Sequence, residues 1–331
     1  METRTARGPH VGDEGVRGAL LRIWGAVWRI GLYVIVFAAF AVVGMVMAQA
    51  LGLPLGGLSL AGVAVSLLAA LAAAWVMMWG VERRPFASLG FPLGPAAARE
   101  SLVGTGIGMA LLAATAALIA AAGGAVWGPD TGTVGGWLRF AAWTLVFFTV
   151  AAAVEEVLFR GYPFQVLERE VGPWAAAVAT ALVFALVHAN NPNVRPLGLA
   201  NIFLAGVLLA AAYLRTRSLW FATAVHMGWN WAMGTLLDLP VSGLEIDTPL
   251  YTGVSTGPDW WTGGSFGPEA GLAATLVLTA GTAWLVRTPH LRESPDVRRL
   301  GFLAETPSPG PSPQGGGEHG DVAVAGEDAR A

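Results

Sequence analysis

Six side chains in the middle of the chain could take part in hydrolysis, and all six fall within otherwise apolar stretches. They are Glu155, Glu156, Arg160, His188, His226 and Asn230. A charged group at the centre of a bilayer costs about 2.5–3.5 kcal/mol on insertion scales, so an ionisable residue there indicates a functional site. A carboxylate can take a proton from water, and imidazole and carboxamide groups can stabilise an oxyanion.

The spacing of these residues separates their expected roles. Glu156 and Arg160 are i and i+4, the favourable order for an ion pair along a helix, so we predict a structural pair that neutralises both groups. Glu155 is turned about 100° away from that pair and is left free for chemistry. His226 and Asn230 are also i and i+4, so they share one helix face.

A helical hairpin is predicted around the sequence "REVGP". Glu155 and His188 each lie about 16 residues from it, which is about 25 Å along either helix, so they should be level. Taken singly, His188, His226 or Asn230 would more often be an interhelical hydrogen-bonding residue. Glu155 and His188 are expected at the same depth in the membrane, and His226 and Asn230 share one helix face. We therefore predict that Glu155, His188, His226 and Asn230 form one catalytic site.

The composition is that of a membrane protein. Of 331 residues 55% are hydrophobic and 12% are charged, and no cysteine is present. Thiolate catalysis, disulfides and thiolate metal sites are therefore excluded, and a net charge of −3 argues against a nucleic-acid partner. The expected partners are membrane lipid and a peptide or membrane-protein substrate.

Long apolar runs predict an all-α polytopic membrane fold of about eight transmembrane helices, with a polar site inside the bundle. The chain then divides into a polar tail (1–18), helices one to three (19–135), a catalytic core of helices four to seven (136–237), an exterior loop (238–269), helix eight (270–287) and a disordered tail (288–331). The arginines that precede span one and follow spans two, four, six and eight share one side, and the opposite loops contain only Arg195 among basic residues. This distribution predicts an integral protein of a bacterial cytoplasmic membrane with both termini cytoplasmic.

Two local motifs predict helix geometry. Gly104 and Gly108 form a GxxxG, which predicts close packing of the third helix against a neighbour. Pro163 cannot donate a hydrogen bond to the carbonyl of Phe159, which predicts a kink in the fourth helix just beyond the polar cluster.

Several protease classes are excluded by their missing motifs. The chain has no H-E-x-x-H, no pair of intramembrane aspartates and no serine-protease motif within a span. Zinc held by Glu155, His188 and His226, with an open position for water, remains as compatible with the residues as a mechanism without metal.

Three motifs together resemble the signatures of one family. They are "EEVLFRG" (Glu155–Gly161), "FALVH" (Phe184–His188) and "HMGWN" (His226–Asn230). They are similar to the E-E-x-x-x-R, F-x-x-x-H and H-x-x-x-N motifs of the CPBP family (CAAX protease and bacteriocin-processing, or Abi, proteins), which includes the type II CAAX prenyl endopeptidases.

The resemblance implies a role for each matching position. Glu155 and His188 would activate water, His226 and Asn230 would form the oxyanion site, and Glu156 with Arg160 would brace the helix. It further implies an eight-helix intramembrane endopeptidase, of the glutamate-dependent or the metalloprotease type, with a site open to the cytoplasm. Two alternatives stay open: a non-catalytic immunity or scaffold protein of the same fold, and a haem carrier ligated by His188 and His226.

Overall fold

The structure is a computed structural model that describes residues 11–56, 58–295 and 298. The first ten residues of the predicted N-terminal tail, and nearly all of the predicted disordered tail beyond 295, lie outside the described residues. Ten α-helices and two strands are present in the described part: α1 (Val11–Ala50), α2 (Leu60–Met77), α3 (Pro95–Ala121), β1 (Ala125–Pro129), α4 (Val134–Phe159), α5 (Tyr162–Val171), α6 (Pro173–Val187), α7 (Pro196–Thr216), α8 (Leu219–Trp231), β2 (Tyr251–Ser255), α9 (Asp259–Thr262) and α10 (Leu272–Arg287).

The predicted all-α membrane fold is confirmed, and the protein is an integral membrane protein. In the described part of the chain, five helical segments are long and apolar enough to cross a bilayer: Arg17–Ala50, Leu60–Glu82, Pro95–Ala121, Val134–Val171 and Pro196–Thr216. The other three predicted spans correspond to α6, α8 and α10, which have 15, 13 and 16 residues. Helix α8 continues as a π-helix over Ala232–Leu236. Helices α3, α4 and α7 surround α8, so nearly all of its residues contact protein rather than lipid.

An ordered cap covers the end of the bundle that the arginine distribution places outside. Strand β1 pairs antiparallel with β2, and the Trp127 indole donates a hydrogen bond to the Leu237 carbonyl over 2.7 Å. The Asp238 carboxylate accepts from the backbone N–H groups of Thr248 and Gly253 at 2.7 and 2.9 Å. The predicted exterior loop therefore has a fixed conformation over the helix ends.

The fourth predicted span is interrupted more strongly than the expected kink at Pro163. Helix α4 ends at Phe159, and α5 begins at Tyr162 with Pro163 in its first turn, where a missing N–H costs nothing. Gly161 lies at the break, where a Cβ would come within 2.3 Å of the Val157 carbonyl oxygen. Glu155 and Glu156 thus lie near the C-terminal end of a helix that stops inside the protein.

Glycines bring α3 and α8 into direct backbone contact, which confirms the packing role predicted for the GxxxG. A Cβ on Gly104 would lie 2.7 Å from the Phe221 carbonyl oxygen, and one on Gly108 would lie 2.1 Å from that of Val225. Gly228 of α8 contributes from the other side, against Thr105. This contact fixes the rotation of α8, and with it the direction of His226.

Substitution of Gly108 tests this contact. Because a Cβ there has no room, Gly108→Ala should force the helices apart and lower stability by roughly 1–3 kcal/mol, with a lower Tm in detergent. Gly106→Ala is the matched control, since a Cβ at Gly106 meets nothing within 4 Å. Equal Tm values for the two variants would contradict a close α3–α8 contact.

Candidate active site

The structure brings Glu155, His188 and His226 together from three different helices. Glu155 Oε2 lies 3.7 Å from His226 Nε2 and 3.9 Å from His188 Nε2. The Glu155 side chain is 32% exposed and lines an internal cavity, which His188, His226 and Asn230 also line. The four residues predicted from level and face therefore border one space, while their catalytic roles stay predictions.

One hydrogen bond and one ring contact orient the imidazole of His188. His188 is the C-terminal cap of α6, and its Nδ1 lies 2.7 Å from the carbonyl oxygen of Phe184. A carbonyl only accepts, so Nδ1 carries the proton, and in the neutral ring the lone pair of Nε2 points towards Glu155. The Phe184 ring also packs against His188, with ring centroids 4.7 Å apart.

The second imidazole is held by the other glutamate of the pair. His226 Nδ1 lies 2.9 Å from Glu156 Oε1, and its Nε2 faces Glu155. A carboxylate on one ring nitrogen fixes the orientation of the imidazole and the proton on that nitrogen. Glu156 therefore hydrogen-bonds to a residue of the site, His226. The spacing of the motifs did not indicate this contact.

Glu156 and Arg160 also form the close pair expected from their spacing. Arg160 Nη1 lies 2.9 Å from Glu156 Oε1, and both side chains are fully buried. Arg160 Nη2 donates to the Gly206 carbonyl of α7 over 2.8 Å, and its guanidinium lies 4.8 Å from the centre of the Phe184 ring. Arg160 thus joins the end of α4 to α6 and α7 beneath the site.

Phe184 is a neighbour that the sequence reading left without a role. Its ring packs at right angles to Phe159, with centroids 5.1 Å apart, and edge-on to His226 at 6.2 Å. Phe184 also contacts His188 and Arg160. Its ring is therefore an apolar surface against which both imidazoles pack. The F-x-x-x-H spacing carried this signal, because residues i and i+4 share a helix face.

The cavity is about 570 Å³ in volume and is mostly apolar. Its wall includes the side chains of Phe147, Phe148, Leu208 and Leu278. The loop residues that line it, such as Asn191 and Ser242, belong to the end of the bundle predicted to be exterior. None of the described residues in the loops at 83–94, 172 and 217–218, which the arginine distribution places inside, lines it. The opening towards the cytoplasm implied by the resemblance therefore has no support in the cavity lining.

A second polar wall of the cavity was missed by the sequence analysis. The Glu269 carboxylate accepts from Trp229 Nε1 at 3.1 Å and from the Ser242 hydroxyl at 2.5 Å. Asn191 donates to the Ser242 carbonyl over 3.0 Å, which ties this loop to the segment after α6. No spacing rule could have found Glu269, because it follows Glu155 by more than a hundred residues in a Gly-rich loop.

The residues considered for zinc were Glu155, His188 and His226. Zinc ligands lie about 2.0–2.2 Å from the ion and so about 3.4 Å from one another in a tetrahedral site, somewhat closer together than the contacts of Glu155 with the two imidazoles at 3.7 and 3.9 Å. In the described part of the chain, no group of three or more His, Cys, Asp or Glu is arranged to hold a metal ion.

Comparison with known proteins agrees with the three motifs. Residues 137–232 match the model of the family described as type II CAAX prenyl endopeptidase Rce1-like, which confirms the resemblance over this segment. An Escherichia coli protein described as an uncharacterized 24.3 kDa protein is 33% identical over 85 residues, which are 25% of this chain and 38% of that protein. The chain thus matches well under half of this relative's length. No solved structure matches the chain significantly.

Proposed function

We propose that this chain, whose residues 137–232 match the Rce1-like prenyl endopeptidases, is an intramembrane endopeptidase that hydrolyses a peptide bond in the cavity beside Glu155. One observation carries the proposal. Glu155 Oε2, which makes no hydrogen bond within the described part of the chain, lies between two imidazole nitrogens inside a helical bundle. An unpaired carboxylate oxygen at the wall of a cavity is suited to take a proton from water.

The spacing of Glu155 and His188 supports a bridging water. At 3.9 Å the two atoms are too far apart for a direct hydrogen bond, but a water about 2.8 Å from each could donate to both. Both atoms accept, because His188 Nδ1 carries the ring proton. Such a water would use its two hydrogens towards the protein and present a lone pair to the scissile carbonyl carbon. Glu155 would take the proton as the C–O bond forms.

His226 and Asn230 would stabilise the tetrahedral oxyanion. To donate through Nε2 while Nδ1–H donates to Glu156, the ring of His226 must carry both protons, a state that the carboxylates beside its two nitrogens stabilise. The Asn230 amide lies one helical turn further along α8 and lines the same cavity. Collapse of the intermediate would break the C–N bond, and Glu155 would pass its proton to the leaving amine.

Buried placement of the site supports cleavage within the membrane, and the arginine distribution supports a bacterial cytoplasmic membrane with both termini inside. Membrane lipid and a peptide or membrane-protein substrate remain the proposed partners. No observation favours an immunity factor, a scaffold or a haem carrier over the protease.

Removal of metal tests the glutamate-dependent mechanism. Wild-type protein, stripped by chelator and verified as metal-free by mass spectrometry, should cleave a library of membrane peptides at the untreated rate, because Glu155 and His188 supply the base. A zinc protease in the same detergent serves as the control that chelation works. Loss of cleavage on chelation, with recovery on adding zinc, would contradict the metal-free mechanism and leave peptide hydrolysis intact.

A further inference from the structure

We propose that Glu269 is a specificity-determining residue, which binds the positively charged group of a lysine or arginine side chain in the substrate. The inference deepens the proposed function and rests on it. It begins from the charges that line the cavity: two carboxylates, Glu155 and Glu269, the two histidines, and no arginine. Glu155 faces the His226 ring at 3.7 Å, whereas Glu269 pairs with no cation among the described residues. An uncompensated carboxylate in a mostly apolar wall favours a cationic ligand and disfavours an anionic one.

Glu269 is held in position by bonds that leave its charge uncompensated. Trp229 and Ser242 each donate one hydrogen bond to the carboxylate, and neither carries a charge. Buried Asn201 of α7 donates to the backbone carbonyls of Glu269 and Gly271 at 2.8 and 2.9 Å, which anchors the loop on both sides. No ion pair involves Glu269 among the residues that the structure describes.

The position of Glu269 relative to the reaction follows from α8. Trp229, which donates a hydrogen bond to Glu269, is three residues beyond His226. Three residues are about 4.5 Å along the helix, towards the end predicted to be exterior. The charged group of the substrate would therefore bind about one helical turn from the scissile carbonyl. A lysine or arginine side chain has an apolar stem that can follow the cavity wall while its head reaches Glu269.

The test measures binding and does not require cleavage. Apolar membrane peptides carry one lysine, moved through successive positions, and each is paired with a twin in which norleucine replaces that lysine. Both are bound to Glu155→Gln protein in nanodiscs, a background that removes the other carboxylate of the cavity. At one register the lysine peptide should bind roughly tenfold or more tightly than its twin, since close buried charge pairs couple by at least about 1.5 kcal/mol.

Two further variants in the same background separate charge from loop structure. Glu269→Gln should abolish the preference, whereas Ser242→Ala, which removes a hydrogen bond and keeps the carboxylate, should retain it. Equal binding of the twins to Glu155→Gln protein would overturn the proposal, whether or not the Glu269 variant folds. A preference that survives Glu269→Gln would also overturn it. If the preference is found but wild-type protein cleaves no peptide, the proposed function fails and the cation site stands.

Discussion

Glu155→Gln is expected to lower the kcat of peptide-bond hydrolysis by about 10²–10⁴-fold, the usual contribution of a positioned general base. Glutamine has nearly the same shape as glutamate but cannot take the proton from water. Peptide binding should persist, because the cavity wall is otherwise unchanged.

The same substitution should leave the Tm unchanged or slightly raised. The Glu155 side chain is 32% exposed, and its Oε2 makes no hydrogen bond within the described residues, so little stabilisation is lost. Glu245→Gln is the matched control, because Glu245 is an exposed loop residue that does not line the cavity. A Glu155→Gln enzyme with wild-type kcat would exclude Glu155 as the base.

Arg160→Met is expected to cost about 3–5 kcal/mol of stability, because it leaves the buried carboxylate of Glu156 without its guanidinium. The Gly206 carbonyl also loses its donor. The expected result is a large fall in Tm, or in the detergent concentration at which the protein unfolds.

A double variant separates loss of the charge pair from loss of packing. Glu156→Gln combined with Arg160→Met removes both charges, and the glutamine oxygen can still accept from His226 Nδ1. The double variant should therefore be more stable than Arg160→Met alone, a non-additivity that a double-mutant cycle measures. Stability losses that simply add would contradict the importance of the ion pair.

The parts of the site on single helices could be predicted from the sequence. Helical periodicity alone places Glu156 beside Arg160 and His226 beside Asn230 on one face, and the structure has these pairs in the expected places. The level of Glu155 and His188 followed from chain distance around one hairpin, even though α4 and α5 are separate helices.

Contacts between distant segments could not be predicted in this way. The Glu156–His226 bond joins residues 70 positions apart, and it depends on the rotation of α8 that Gly104, Gly108 and Gly228 set. Glu269 reaches the cavity because Asn201 and Ser242 hold its loop, and neither contact has a periodic signature. Loop residues from the end of the bundle predicted to be exterior line the cavity because the cap is folded over that end, and hydropathy does not describe this cap.

The most direct test of the central claim is proteolysis in ¹⁸O-labelled water. Wild-type protein in liposomes is incubated with a membrane-peptide library, and the products are identified by mass spectrometry. The account predicts new internal C-termini that carry one ¹⁸O atom from the attacking water, and their absence with Glu155→Gln. Absence of internal cleavage by the wild type, or the same labelled products with Glu155→Gln, would contradict it.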